Sequence, residues 1–460
     1  MKKLFTKKLL VRGLLALLLG PLLLLALGGI GYAGYAWLAL GQPDPTTVAY
    51  LRAQQRVVPT ATAATTAAFP DFEPGFYANQ LFLLGESHGS AAPQALDFAL
   101  LRHLNQKTGL RYYVAEIDPS QAFFFNRYLA TGHEADLQTV FRGWDGTEQW
   151  GNRDFYDKVR RIRRLNQTLP PAARICFLGL DRIQSVEVAL QHLRAILAQE
   201  PGPGAGAAGS CAALDTLRQL SAGPVPTEAA LARLAHRLLP AFAAAPAPDS
   251  AGAGAGLSVA GRAQVAQLLR NASYLRGPRI RRDSVMLLNL QADYARLGLQ
   301  GEKLYGLWGM YHVMQSAVSD SQPFAALVRA SALPLRGRVV SLAIFTADSE
   351  VFVPAAGIPA AVRPPAPSVN VGWLNSAGPV VLVPGIRDLL AAAPAGALAT
   401  VFRLDAPRAP YRQGLRLATI KAPLMGQTLA ATRAGAATTD YFQYAVLLRN
   451  SAAVRPLAPR

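Results

Sequence analysis

Residues capable of acid–base chemistry stand at the ends of two predicted strands. Glu86 and His88 lie in a GESHG turn that directly follows the apolar run 81–84, and Glu116 directly follows the apolar run 112–115. A histidine takes a proton from water near neutral pH when a carboxylate orients its ring. We therefore predict that His88 accepts a proton from water and that Glu86 or Glu116 holds the ring or the water.

Later strands and a helix supply further candidates. Asp181 follows the predicted strand 174–180, and His312 lies just beyond the predicted strand 303–308. His312 or Arg282 could stabilise an oxyanion or protonate a leaving group, and this set would hydrolyse an ester without a covalent intermediate. The predicted residues for substrate binding or support of the catalytic groups are Asp181, Asp283, Ser87 and Tyr311.

The same turn allows a rival chemistry in which Ser87 is the nucleophile. Residues 85–89 fit the G-x-S-x-G pattern of a nucleophile elbow, and Ser87, Asp181 and His312 follow the triad order of α/β-hydrolases. An α/β-hydrolase places several strands before its elbow, whereas this turn follows the first strand of its domain. The sequence therefore favours activated water over the serine mechanism.

A bound metal is another alternative built from the same atoms. Glu86, His88, Glu116 and His312 offer two carboxylates and two imidazoles, which zinc, manganese or iron accepts. Their spacing is not diagnostic, and the sequence has neither an HExxH motif nor a zinc-type cysteine pair. The cofactor stays open. The two cysteines, Cys176 and Cys211, are predicted to be unpaired thiols.

A parallel sheet would bring these strand ends together. The order strand, turn, helix, strand over residues 79–118 is that of a βαβ unit, and such sheets bind ligands beyond the carboxyl ends of their strands. Further strands are predicted at 339–346, 380–383 and 444–448. Low-complexity residues from about 200 to 260 predict a helical insertion with mobile linkers. The predicted fold is three-layer α/β, with a mostly parallel sheet flanked by helices.

The N-terminal residues predict export and a membrane anchor. Lys and Arg are frequent in residues 2–12, whereas residues 13–43 carry no charge and are long enough to span a bilayer. We predict an uncleaved transmembrane helix within 1–42, with a cleaved signal peptide as the alternative. Its basic flank would stay in the cytoplasm, with the main domain periplasmic or at the cell surface. A linker over 43–70 would lead to the α/β domain at 71–460.

The net charge of the chain indicates which classes of binding partner are to be expected. The net charge is +18, but the basic residues are dispersed and no basic-aromatic module is present, so nucleic acid is not a predicted partner. The charge is compatible with anionic lipid. The basic run of the predicted helix 155–169, which includes Lys158, indicates a solvated face. The loop 144–154 is rich in aromatic and polar residues, and it is predicted to border a pocket.

Taken in order, these motifs resemble the erythromycin esterase-like and ChaN-like superfamily over about residues 70–450. The matching segments are the turn 85–89, Glu116, Gly179-Leu180-Asp181, Arg282-Asp283 and residues 308–312. The resemblance implies a three-layer α/β fold and hydrolysis of a small molecule, with His88 as the general base and His312 on the opposite wall. The ChaN-like branch implies haem binding instead. Its axial ligands would come from Tyr311, His312, Met310 or His88.

Three departures from the family pattern leave the substrate open. The turn is one residue shorter than in macrolide esterases. Gly309 and Met310 occupy the region where those esterases carry an additional histidine, and Asp97 lies about where an arginine is expected. A scaffold that kept the fold and lost activity is therefore a third hypothesis beside the hydrolase and the haem-binding protein.

Overall fold

The structure is a computed structural model that describes residues 27–59, 69–144, 150–199, 212–243, 257–275, 280–358, 360 and 363–457. The helices in these ranges are α1 (27–40), α2 (Pro45–Gln54), α3 (Pro74–Tyr77), α4 (Ala92–Thr108), α5 (Pro119–Thr131), α6 (Glu134–Arg142), α7 (Arg153–Thr168), α8 (Val186–Gln199), α9 (Ala212–Ala222), α10 (Glu228–Ala243), α11 (Val259–Ser273), α12 (Arg282–Arg296), α13 (Phe324–Ala330) and α14 (Ile386–Ala392). The strands are β1 (Gln55–Val58), β2 (Leu81–Glu86), β3 (Tyr112–Ala115), β4 (Cys176–Gly179), β5 (Leu304–Gly309), β6 (Val339–Ala347), β7 (Val351–Pro354), β8 (Ser368–Val371), β9 (Ala399–Arg403), β10 (Ile420–Ala422), β11 (Gln427–Leu429) and β12 (Tyr444–Arg449).

Within the described residues, one large sheet has the strand order β1-β9-β12-β6-β2-β5-β3-β4. All neighbours from β12 to β4 are parallel, whereas β9 runs antiparallel to both β12 and β1. The chain passes from β2 out to β3 and β4 and then returns to insert β5 between β2 and β3. The carboxyl ends of these four strands consequently lie side by side. The mostly parallel α/β sheet predicted from the sequence is confirmed.

Alternation along β2 explains why helices cover both faces of the sheet. Phe82 and Leu84 are fully buried in a core cluster with residues of α4 to α7. Leu81 and Leu83 point to the opposite face, where they pack with residues of α12 and α13. A strand buried on both faces reads as a continuous apolar run, which is what residues 81–84 are.

The described residues between β4 and β5 include the helices α8 to α12. Helices α9 and α10 pack with α8 and α11 through a core that includes Leu193, Leu217, Leu231 and Leu269. Residues 200–211 and 244–256, including Cys211, lie outside the described residues. Cys176 has a free thiol, and burial raises its pKa to about 11.

The segment predicted as a linker over 43–70 contains structure of the domain. α2 and β1 lie within it, and β1 pairs along its length with β9. This long-range pairing has no local signature, because β9 is more than 300 residues away in the chain.

The apolar run 380–383 is not a strand, although Leu382 and Val383 are buried. Leu382 makes only isolated bridges to Ala377 and Lys421. Pro379 and Pro384 flank the run, and a proline cannot donate to a sheet ladder.

Across the described ranges, no helix combines the length and the apolarity needed to cross a bilayer. The transmembrane helix predicted within 1–42 therefore has no support in those ranges. Its residues 1–26 lie outside them, and α1 covers residues 27–40.

Candidate active site

The ends of β3 and β5 place Glu116 against the turn that leads to His312. The backbone N–H of Gly309, the last residue of β5, donates to Glu116 Oε2 at 2.7 Å. The other oxygen, Oε1, lies 3.1 Å from His312 Nε2. Glu116 is buried, with Oε2 hydrogen-bonded to Gly309 and Oε1 held by ion pairs with His312 and Arg282.

Gly309 is also the point where the β2 side of the site meets the β5 side. A Cβ atom at position 309 would lie 3.1 Å from His88 Nε2, 3.4 Å from His312 Cδ2 and 3.6 Å from Glu116 Oε2. The two histidines predicted to share a site therefore converge on one glycine, with the carboxylate of Glu116 beside them.

Arg282 joins the ends of β3 and β4. Its Nε and Nη2 atoms bind the Asp181 carboxylate at distances from 2.6 to 3.1 Å, and Nη2 also lies 2.8 Å from Glu116 Oε1. Nη1 lies 3.3 Å from His312 Nε2. The carboxylates raise the pKa of Arg282 against the opposing effect of burial. About a third of its side chain remains exposed.

His312 is fixed as a cation by two carboxylates. Its Nδ1 lies 2.7 Å from Asp283 Oδ1, opposite the Glu116 contact of Nε2. Burial alone would lower the pKa of His312, but the hydrogen bonds to Asp283 and Glu116 raise it to about 9. Burial alone would raise the pKa of Glu116, but the His312 hydrogen bond and the Arg282 charge lower it to about 2.

His88 is held differently, through one ring nitrogen only. Its Nδ1 lies 3.2 Å from Glu86 Oε1, and the carboxylate can only accept, so Nδ1 carries the proton and Nε2 has the lone pair. Burial alone would lower the pKa of His88, but Glu86 and then Glu116 raise it. Burial raises the pKa of Glu86, against the effect of its bond to His88. The Trp150 ring covers the imidazole at a centroid distance of 4.0 Å.

A small cavity of about 30 Å³ lies beside this pair, with room for about one water molecule. Glu86 Oε2 is buried there without a hydrogen-bond partner among the described residues. Lys158 also lines the cavity, and its ammonium binds Asp97 Oδ2 at 2.6 Å and the Tyr113 hydroxyl at 3.2 Å. With 3% of its side chain exposed, Lys158 does not belong to the solvated face predicted for its helix.

A larger cleft of about 420 Å³ opens next to Arg282 and Asp181. Trp144 and Trp150 line it, as predicted for the loop 144–154, and Glu228 of the helical insertion forms part of its wall. Trp150 lines both the cleft and the small cavity, and its ring contacts the His88 imidazole.

Two predicted residues are not part of the convergent cluster. Ser87 is exposed, and in the described part of the chain no contact links its hydroxyl to a histidine. His312, its expected base, has both ring nitrogens engaged by carboxylates. The Tyr311 hydroxyl bonds to Ser321 Oγ at 2.5 Å rather than to the site. The serine mechanism therefore lacks its hydrogen-bonded base here.

The two cofactors considered from the sequence are a metal ion and haem. In the described ranges, no three His, Cys, Asp or Glu side chains converge as metal ligands. Haem ligation needs an available donor atom beside a wide pocket. Of the four predicted haem ligands, His312 has both nitrogens engaged, Met310 is buried in an apolar cluster and the Tyr311 hydroxyl bonds to Ser321. Nε2 of His88 is the remaining donor atom.

Sequence reasoning did not name Lys158, Gln94 or Gln184 as site residues, and it included Trp150 only within a loop predicted to border a pocket. Gln94 donates to Glu86 Oε1 at 3.4 Å, and Gln184 donates to Asp181 Oδ2 at 2.8 Å. One signal was available for Lys158: it lies three residues after Phe155 and four before Ile162, on the apolar face of α7.

No protein-family model matches the chain, and no curated protein sequence matches it. Solved structures do match. A protein from Bacillus cereus superposes with a TM-score of 0.60 at 12% identity, covering 90% of this chain and 99% of that chain. A succinoglycan biosynthesis protein superposes with a TM-score of 0.57 at 11% identity, and the match covers 90% of this chain and 98% of that chain. These two matches show that the fold is shared.

Both groups that the sequence resembles are among the structural neighbours. A mutant of the erythromycin esterase EreC in its open conformation gives a TM-score of 0.49 at 13% identity, covering 82% of this chain and 92% of that chain. Haem-binding ChaN of Campylobacter jejuni gives a TM-score of 0.27 at 14% identity, and the match covers 61% of this chain and 88% of that chain.

Proposed function

We propose that this protein is a hydrolase in which His88 activates a water molecule for attack on an ester or related bond of a small molecule. One observation carries the proposal. The Glu86–His88 pair, with Nε2 left over, faces Arg282 and His312 across Gly309, and Glu116, Asp181 and Asp283 hold those two cations in place. A general base opposite preorganised N–H donors is an arrangement that can hydrolyse an acyl bond.

His88 supplies the proton transfers. Glu86 accepts from Nδ1–H and fixes the tautomer, so Nε2 takes a proton from water as the water oxygen bonds to the substrate carbonyl carbon. The resulting tetrahedral intermediate carries a negative oxygen. When the carbon–oxygen bond breaks, the imidazolium of His88 returns the proton to the leaving group.

Arg282 and His312 stabilise the oxyanion. The Nη1 side of Arg282 is the part of the guanidinium that Asp181 and Glu116 do not use. His312 contributes its positive charge next to Arg282. It transfers no proton, because its two N–H groups are held by Asp283 and Glu116. Charges fixed before the reaction need no reorganisation during it.

The cleft beside Arg282 is the substrate site of this proposal. Its volume of about 420 Å³ suits a small molecule rather than a polymer chain bound along its length. The proposal includes export, with residues 1–42 tethering the domain to the membrane on its extracytoplasmic side. The basic flank and the uncharged stretch of the sequence support this part.

The test is turnover of an ester panel by the purified full-length chain. We expect His88→Ala to lower kcat/KM by about 10² to 10⁴ without loss of folding, because a general base contributes that much. His133→Ala, which removes an exposed histidine, is the matched control.

Other outcomes would redirect the proposal. Loss of activity in Ser87→Ala, together with an acyl-enzyme trapped on the wild type, would establish the serine mechanism. A Soret band with added haem and no turnover would establish the binding protein. A wild type that is inactive on every ester and binds no haem would leave the inactive scaffold.

A further inference from the structure

α1 stands out from the domain with apolar side chains in solvent. Leu27, Ile30 and Leu38 are exposed, and only the far end of the helix is buried, at Ala36 and Leu40. No charged residue lies anywhere in α1. A helix that exposes large apolar side chains without a polar face is poorly suited to water.

Two further segments expose large apolar side chains near the buried end of α1. Trp373 follows β8 and is 44% exposed, and Leu424 and Met425 form the exposed tip between β10 and β11. Of the thirteen exposed large hydrophobic side chains in the described residues, eight belong to α1, Trp373 and this tip. The eight are Leu27, Ile30, Tyr35, Trp37, Leu38, Trp373, Leu424 and Met425.

Backbone and side-chain contacts connect the three segments. The Tyr32 hydroxyl of α1 donates to the Pro379 carbonyl at 2.7 Å, and the next residue, Val380, donates to the Trp373 carbonyl at 3.4 Å. Leu382 exchanges two backbone hydrogen bonds with Lys421 of β10, at 2.7 and 2.9 Å. The segments therefore form one corner of the molecule, here called the apolar corner.

The apolar corner lies at the same sheet edge as the candidate active site. Ser376 donates to the Thr346 carbonyl near the carboxyl end of β6, the strand next to β2. β8 leads directly into Trp373 and pairs with β7, where Phe352 donates to the Gly89 carbonyl of the GESHG turn at 2.9 Å. One short ribbon thus joins the turn that carries His88 to the corner.

We propose that the apolar corner docks into the headgroup region of a lipid bilayer, so that the domain is seated on the membrane rather than hanging from a tether. The proposal rests on the tether of the proposed function. The chain arrives at this corner from residues 13–26, which carry no charge, after a basic stretch. Trp, Leu and Met side chains suit the membrane interface. The segment 420–429 carries Lys421 and no acid, which is compatible with anionic lipid.

The test places a fluorophore at single sites of the full-length chain reconstituted in vesicles that contain anionic lipid. Cys176 and Cys211 are first replaced by serine. An environment-sensitive dye is then attached in Met425→Cys or Trp373→Cys, with Val225→Cys as control, because Val225 is exposed on the insertion and does not belong to the apolar corner. We expect a blue shift and quenching by nitroxide lipid at 425 and 373 and neither effect at 225.

A fourth site, in Ile30→Cys, separates this inference from the tether on which it rests. Lipid quenching at 30 without quenching at 425 and 373 would overturn the docking and keep the tether. Absence of quenching at 30 would overturn the tether as well. A blue shift at 425 that needs no lipid and grows with protein concentration would show a second copy on the corner, and would also overturn the proposal.

Discussion

The two site histidines differ in how many ring nitrogens the protein occupies. His312 is bonded on both sides by carboxylates, so it is a fixed cation with no lone pair to use. His88 is bonded on one side, by Glu86, so its second nitrogen can accept a proton. The same residue type therefore has two roles, and the number of neighbouring carboxylates decides which.

Gly309→Ala tests the space between these histidines. The backbone of Gly309 is compatible with alanine, at φ −57° and ψ 140°, but the added Cβ would press on the His88 imidazole at 3.1 Å. We expect kcat/KM to fall by about tenfold or more, since small misplacements of a catalytic group are costly. The free energy of unfolding should change by less than about 1.5 kcal/mol. Ester kinetics and urea unfolding measure the two effects, and unchanged kinetics would show that His88 does not act across Gly309.

The raised pKa of His312 predicts that the folded protein loses stability at alkaline pH. Its pKa is raised from 6.5 to about 9 by folding, so its contribution is complete below pH 6.5 and is lost as the pH rises through 9. We expect the free energy of unfolding to fall by on the order of 3 kcal/mol across that window. His312→Gln should lack this part of the decline, whereas the exposed control His133→Gln should keep it. Parallel curves for wild type and His312→Gln would contradict the assignment.

At the scale of elements, α7 contributes a buried charge to the floor of the site. Lys158 and Asp97 of α4 are both buried and paired, and Tyr113 of β3 bonds to both. Lys158 of α7 thereby connects α4 with β3 beside the small cavity that Glu86 also lines. Removing one partner of a buried pair leaves an uncompensated charge, which costs more than the pair itself contributes.

Lys158→Met should therefore lower the free energy of unfolding by about 3 to 5 kcal/mol. The double variant Lys158→Met with Asp97→Asn removes both charges, and we expect it to recover more than half of that loss. Arg164→Met, on the exposed side of α7, is the control and should change stability by less than about 0.5 kcal/mol. Urea unfolding measures all three. A double variant as unstable as the single one would show that packing, not charge, is what Lys158 supplies.

At the scale of the whole molecule, the N-terminal segment and the insertion both reach the body of the domain. α2 packs against α14 and leads into β1 at the edge of the sheet, and Leu51 is completely buried. Glu228 of the insertion lines the cleft beside Arg282. The N-terminal segment therefore contributes a strand to the sheet, and the insertion contributes part of the cleft wall.

Leu51→Ala distinguishes an integral N-terminal segment from a linker. Loss of a fully buried leucine should lower the free energy of unfolding by about 2 to 5 kcal/mol. Val57→Ala, at an exposed position of β1, should change it by less than about 1 kcal/mol. Thermal or urea unfolding measures both, and equal small effects would mean that the segment does not contribute to the core.

The sequence alone determined the parallel core and the residues at its strand tips. Continuous apolar runs such as 81–84 predict strands buried on both faces, and polar residues that follow them must lie at one sheet edge. Local chemistry also located α4, because its apolar spacing ends at Gly109, which adopts φ 71°. These features depend on residues close in sequence, so a single chain can reveal them.

Only the tertiary structure decided which of those residues act on each other. The pairing of Lys158 with Asp97, the cover of Trp150 over His88 and the pairing of β1 with β9 join residues that are distant in the chain. The sequence predicted His88 as the base and left open whether His312 stabilises an oxyanion or donates a proton. The structure adds how many carboxylates each ring meets. The spacing of apolar residues in a sequence shows which face of a helix or strand is buried. A protonation state depends instead on contacts of a few ångströms, which form only when the chain folds.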